Sequence, residues 1–185
     1  EPQPATERYA VSLPPGQREF VLKYQGRITP SRPGSSNEET DFNAGIISSE
    51  GIFLDGSTQW YPQFNDDLIT FTVDVRLPEP WDAVSQGERT RHERKDGRVE
   101  TRWESSRPQD EILLIGGRFV EYSRPAGSVQ VMAFLRTPDE ELANRYLETG
   151  GSYLELYQNL LGPYPYKKFA LVENFWETGY GMPSF

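Results

Sequence analysis

The 185 residues carry 19 Lys and Arg against 28 Asp and Glu, a net charge of −9, with no Cys and a single His. So acidic a chain lacks the basic face that a phosphate backbone requires, which argues against nucleic acid as a partner. A cysteine nucleophile is ruled out, and a Ser-His-Asp triad or a zinc site within these residues would have only the His92 imidazole to draw on. The 10 Phe, 10 Tyr and 4 Trp imply a core built largely from rings. No run of about 18 apolar residues occurs, so no transmembrane segment is expected. Glu1-Pro2-Gln3-Pro4 is neither basic nor apolar, and no leader peptide is expected there.

Up to residue 136 the dominant period is two, the signature of strands. Tyr9, Val11 and Leu13 alternate, as do Phe20, Leu22 and Tyr24, across a Pro14-Pro15-Gly16 turn. Residues 29–44, rich in Ser, Pro, Gly, Asn and Glu, read as a loop. A short apolar piece follows at 51–54. Residues 68–77 predict a strong strand, with Ile69, Phe71, Val73 and Val75 on one face. Asp96-Gly97 predicts a hairpin between 89–95 and 98–105, whose polar arms are expected to project into solvent. Further strands are expected at 112–115, 118–122 and 129–135. The fold class that follows is mainly β, an antiparallel sandwich or curved sheets of short strands.

At residue 137 the period changes. Thr137-Pro138-Asp139-Glu140 combines an N-cap Thr, a first-turn Pro and a Glu three residues on. Leu142, Tyr146, Tyr153, Tyr157 and Leu160 predict a buried helical stripe, which Gly150-Gly151 is expected to interrupt. Gly162-Pro163 ends the helix, and Phe169-Ala170-Leu171-Val172 reads as a buried strand whose partners lie beyond residue 185. The division expected is a β domain over 1–136 and the start of an α/β domain over 137–185.

The order of strand-rich domain, capped helix, Gly162-Pro163-Tyr164-Pro165-Tyr166-Lys167-Lys168-Phe169, apolar strand, then Glu173-Asn174-Phe175-Trp176-Glu177-Thr178-Gly179-Tyr180-Gly181-Met182-Pro183-Ser184-Phe185 resembles the membrane alanyl aminopeptidase family. These are zinc metallopeptidases, gluzincins related to aminopeptidase N and leukotriene hydrolase. Trp60-Tyr61-Pro62, residues 68–77, the stretch from Trp81 to Gly87, and the stretch from Trp103 to Pro108 extend the resemblance into the β half. It implies a saddle-shaped N-terminal β domain followed by a thermolysin-like catalytic domain. The family's His-Glu-x-x-His zinc motif does not occur in this chain. The expectation is therefore a front portion truncated before the motif, with no metal and no catalytic residue of its own, inactive alone, and zinc held in the full-length parent. The partners implied are a peptide substrate and the rest of the catalytic domain, with strand pairing between chains at the cut edge, in an extracytoplasmic setting.

In the family a Gly-Ala-Met-Glu-Asn segment lines the zinc cleft, pairs with substrate backbone, and supplies a Glu for the free α-amine. Matching Met182 to that Met makes Gly181 and Met182 the substrate-binding candidates, with Tyr180 beside them. Pro183 and Ser184 then stand where Glu and Asn are found, leaving Glu173 and Glu177 as the nearest acids. His92, among Arg89, Arg91 and Arg94, reads as a solvated strand residue. A rival reading is a stand-alone β-sandwich binding module for carbohydrate or protein, with Trp60, Tyr61 and Trp81 as a stacking platform.

Overall fold

The computed structural model describes residues 9–28, 45–63, 67–175 and 181–185. Its strands are β1 (Ile46–Ile47), β2 (Ile52–Leu54), β3 (Ile69–Pro78), β4 (Asp82–Ser85), β5 (Glu88–Lys95), β6 (Arg98–Gln109), β7 (Leu114–Gly117), β8 (Val120–Ala126) and β9 (Val129–Leu135). Helix α1 (Glu140–Leu161) and strand β10 (Lys168–Val172) follow. The strands form three sheets, ordered β1-β2-β7-β4, β3-β6-β5 and β10-β9-β8. Every pairing is antiparallel except β9 with β10. The fold is mainly β, with antiparallel sheets and one helix, as the period-two pattern predicts.

The sheets stack because both faces of their central strands are apolar. In the first sheet, Ile52, Leu54, Ala83 and Leu114 pack with Val73, Val75 and Leu77 of β3 and with Trp60 and Trp81. Phe53, Val84 and Ile115 join Met132 and Phe134 of β9, together with Trp103 and Phe185. The alternate β9 residues, Val129, Val131 and Ala133, pack with Leu147 and Leu154 of α1. A strand buried on both faces reads as a near-continuous apolar run, which Val129–Leu135 shows with Gln130 as its one polar residue.

Several expectations are corrected. The turn at Pro14–Gln17 forms, with Gln17 N–H donating to Pro14 O at 3.0 Å, but residues 9–13 and 20–24 make no strands. Tyr9, Val11, Leu22 and Tyr24 are all more than half exposed, so the alternating stripe is not buried. The 29–44 loop lies outside the described residues. The Asp96-Gly97 hairpin forms with both residues at positive φ, 53° and 70°, but it is not solvated on both faces. Val99, Thr101, Trp103 and Ser105 of β6 are buried.

Helix α1 is capped by Asp139, not Thr137: the Asp139 carboxylate accepts from Leu142 N–H at 2.9 Å. It runs unbroken through Gly150-Gly151. A Cβ on Gly150 would stand 3.0 Å from Val131 Cγ1, so the first glycine is where the helix lies closest to the sheet. The buried face is Ala143, Leu147, Gly150 and Leu154, whereas Tyr153, Tyr157 and Leu160 of the expected stripe are exposed. The error is one of rotation about the axis, because small residues rather than rings face the sheet. Strand β10 finds a partner before residue 136, pairing in parallel with β9 from Lys168↔Gln130 to Val172↔Phe134.

Candidate functional site

The expected cleft segment is held against the far edge of β10. Ala170 N–H donates to Phe185 O at 3.1 Å, on the edge of β10 away from β9. Phe185 N–H donates to Met182 O at 3.3 Å, closing a turn with Pro183 and Ser184 in its centre. Ser184 has φ 64°, the left-handed conformation that a type II turn demands of its third residue. Both groups of Ser184 are used: Gly87 N–H lies 3.0 Å from Ser184 O and 2.9 Å from Ser184 Oγ. Gly87 has φ 84°, and a Cβ there would meet Glu104 O at 2.1 Å, so this contact requires glycine. Pro183-Ser184 is thus a structural turn, with its hydroxyl buried against Gly87 rather than presented outward.

Among the sequence candidates, Gly181 is exposed and Met182 half-buried against the core around Phe134 and Trp103. Glu173 is exposed, but one carboxylate oxygen accepts from Arg136 N–H at 2.7 Å, and its own N–H continues the β9 pairing to Phe134 O. Tyr180 and Glu177 lie outside the described residues. The structure therefore brings Gly181 and Met182 together beside β10 and gives Glu173 a backbone to cap.

Beneath this segment lies a residue that sequence reasoning passed over. Lys168, 2% exposed, donates from Nζ to Ser85 O at 2.8 Å. Its Nζ stands 4.8 Å from the Trp103 ring centre and 4.6 Å from that of Phe185. Burial holds this amine well below the ordinary lysine range, with the Arg89 guanidinium adding to the effect. Arg89 is itself claimed by Glu121 through two 2.6 Å bonds, so that carboxylate serves Arg89. Lys167-Lys168 gives no sequence signal as to which lysine turns inward.

A second buried polar node sits at the β4–β5–β6 corner. Asp82 Oδ1 accepts from Thr101 Oγ1 at 2.9 Å and from Ala83 N–H at 2.8 Å, while Oδ2 lies 2.6 Å from His92 Nε2. His92 is therefore half-buried and paired, not the solvated residue expected. Arg94 Nη2 stands 3.7 Å from the same Oδ2. Among the described residues no group of three or more His, Cys, Asp or Glu is placed to hold a metal ion. A lone imidazole on a carboxylate already bonded to Thr101, with a guanidinium alongside, does not fit zinc.

The aromatic platform does not assemble either. Trp60 and Tyr61 meet edge to face, 5.2 Å between ring centres. Trp60 Nε1 donates to Ile112 O and Tyr61 Oη accepts from Ile112 N–H, and Trp60 and Trp81 pack on the core of the first sheet. These rings anchor the loop before β7.

No protein-family model matches the sequence, and no curated protein matches it. Among solved structures the chain is similar to a mutant of a two-domain M1 zinc metallopeptidase bound to L-arginine. The TM-score is 0.57 at 18% identity, over 75% of this chain and 35% of that one. It is likewise similar to an M1 zinc metallopeptidase from Deinococcus radiodurans, at TM-score 0.56 and 18% identity, over 76% of this chain and 36% of the other. The likeness shows the fold, and the chain spans little more than a third of the length of either structure.

Proposed function

We propose that this chain is the N-terminal β domain and the opening of the catalytic domain of an M1-type zinc metallopeptidase. Its role is to form one wall of a peptide-binding cleft. Zinc and its ligands belong to the remainder of the protein, and the chain alone has no peptidase activity. The observation that carries this reading is the placement of Gly181 and Met182. They leave a turn anchored to β10 and Gly87, with Gly181 exposed and free of Cβ, so that an extended peptide can approach its backbone. The similarity in fold to M1 zinc metallopeptidases supports it.

Pro183 has no N–H, and the Ser184 hydroxyl is engaged by Gly87. Neither supplies a carboxylate for a substrate ammonium. Selection of a free amine therefore falls to Glu173, Glu177 or an acid elsewhere in the protein, or is relaxed. The test is hydrolysis of one peptide, free and N-acetylated, by the full-length protein, repeated with Glu173→Gln and Glu177→Gln. The expected result is cleavage of both forms, or a free-amine preference that one substitution weakens. Absolute dependence on the free amine, untouched by either substitution, overturns the assignment of those acids. Chelator-resistant zinc bound stoichiometrically by residues 1–185 alone overturns the division of labour.

A further inference from the structure

We infer that Lys168 is a positioning residue for the cleft segment: its side chain seats Phe185 and thereby fixes the turn that begins at Met182 and that Gly181 precedes. The inference rests on the reading of Gly181 and Met182 as cleft residues. Its physical content is separate from that reading.

The argument starts from what Lys168 is not needed for. At the first residue of β10 an apolar side chain of similar length would fill the same space and would require no desolvation of an amine. The amine nevertheless lies fully inside, where it gains a carbonyl on β4 and two ring faces, Trp103 of β6 and Phe185 of the turn. Trp103 is fixed independently, through Nε1 donating to Ala83 O at 3.0 Å. Among the described residues, Phe185 has its backbone bonded to Ala170 and Met182, while its ring is seated by packing and by the amine. An N–H group over a ring face adds a directional preference to the apolar packing that holds the ring. Lys168 therefore ties three elements, β4, β6 and the turn, to the strand whose edge the turn follows.

The geometry also explains the tolerance of left-handed Ser184. With Phe185 seated over Lys168, Ser184 is brought to Gly87, where its carbonyl and hydroxyl both meet one N–H. Unseating the ring releases a strained residue, so the turn is expected to loosen as a unit.

The test is amide hydrogen exchange on residues 1–185, comparing wild type with Lys168→Met and Phe185→Leu. Gly87 and Ala170 are the reporters, since their N–H groups end on Ser184 and Phe185. Protection at these two amides is expected to fall by about tenfold or more in both variants, while the β3–β6 ladder keeps its protection. Unchanged protection at both reporters in Lys168→Met overturns the inference. So does a uniform loss across all sheets there, which assigns Lys168 to general packing. Phe185→Leu keeps the question open to measurement should Lys168→Met fail to fold: its reporters unchanged also overturn the seat. In the full-length protein the Lys168→Met variant is expected to raise KM for peptide more than it lowers kcat. Loosened reporters with an unaltered KM leave the seat standing and remove Gly181 and Met182 from the cleft.

Discussion

Two buried polar centres, both beside Trp103, handle their chemistry in opposite ways. At the β4–β5–β6 corner Asp82 has partners on both oxygens: Thr101, Ala83, His92 and, farther off, Arg94. At the β10 seam Lys168 has one carbonyl and two rings, and Glu121 is committed to Arg89. A carboxylate with its acceptor sites filled is a bolt between sheets, and removing a partner leaves the rest unsatisfied. An amine with so little around it is held well below the ordinary lysine range by burial, and it directs neighbours more than it stabilises them.

The largest way to break the comparison is to remove what both centres share. Trp103→Ala deletes a fully buried ring and is expected to cost about 3–5 kcal/mol, read from urea unfolding. Next comes the corner. Asp82→Asn replaces the acceptor that pairs with His92 and is expected to lose about 2 kcal/mol in the same assay. Lys168→Met is expected to change stability less at neutral pH and to change its pH dependence more. The folded amine is depressed by burial first and by Arg89 second, whereas the unfolded chain takes up its proton below about pH 10.4. The unfolded state thus binds the extra proton, so wild-type stability is full above that value and declines as pH falls through the window down to the depressed one. The Arg89–Glu121 pair faces the same space and remains in both proteins, so the wild-type minus variant difference isolates Lys168. Chemical denaturation between pH 7 and 10 should show a slope in the wild type that Lys168→Met lacks; equal slopes would place the amine in its ordinary charged form. The smallest effect belongs to the solvated counterpart of these centres. Arg102 pairs with Asp74 through two 2.8 Å bonds on the outer face of the β3-β6-β5 sheet, and Arg102→Ala should leave the melting temperature essentially unchanged.

What the sequence discloses depends on how far each feature reaches. Strand β3 was legible because its alternation is local, and the β5–β6 hairpin because Asp96-Gly97 satisfies its own turn geometry. Residues 9–24 carry the same alternation without strands, since a strand also needs an edge to pair with. Helix α1 was legible in existence but not in rotation, because its buried face is set by how closely Gly150 approaches Val131. The resemblance drew attention to Gly181 and Met182, yet Lys168, Gly87 and Arg89–Glu121 depend on contacts between distant segments. A lysine, a glycine and an Arg-rich hairpin each have an ordinary surface reading that nothing nearby contradicts.

The parallel pairing of β9 with β10 bears on the order of assembly. Strands β8 and β9 are joined by a tight turn at Gly127, and the single helix α1 carries the chain from β9 to β10, so every pairing in this layer is between consecutive strands. The β1-β2-β7-β4 sheet instead brings Leu54 to Leu114 across the whole of β3 to β6. Loop closure is cheaper and faster for the first arrangement. The C-terminal layer can therefore form early and wait with its Met132–Phe134 face open. The first sheet then arrives to cover that face, and Trp103 and Lys168 come together last.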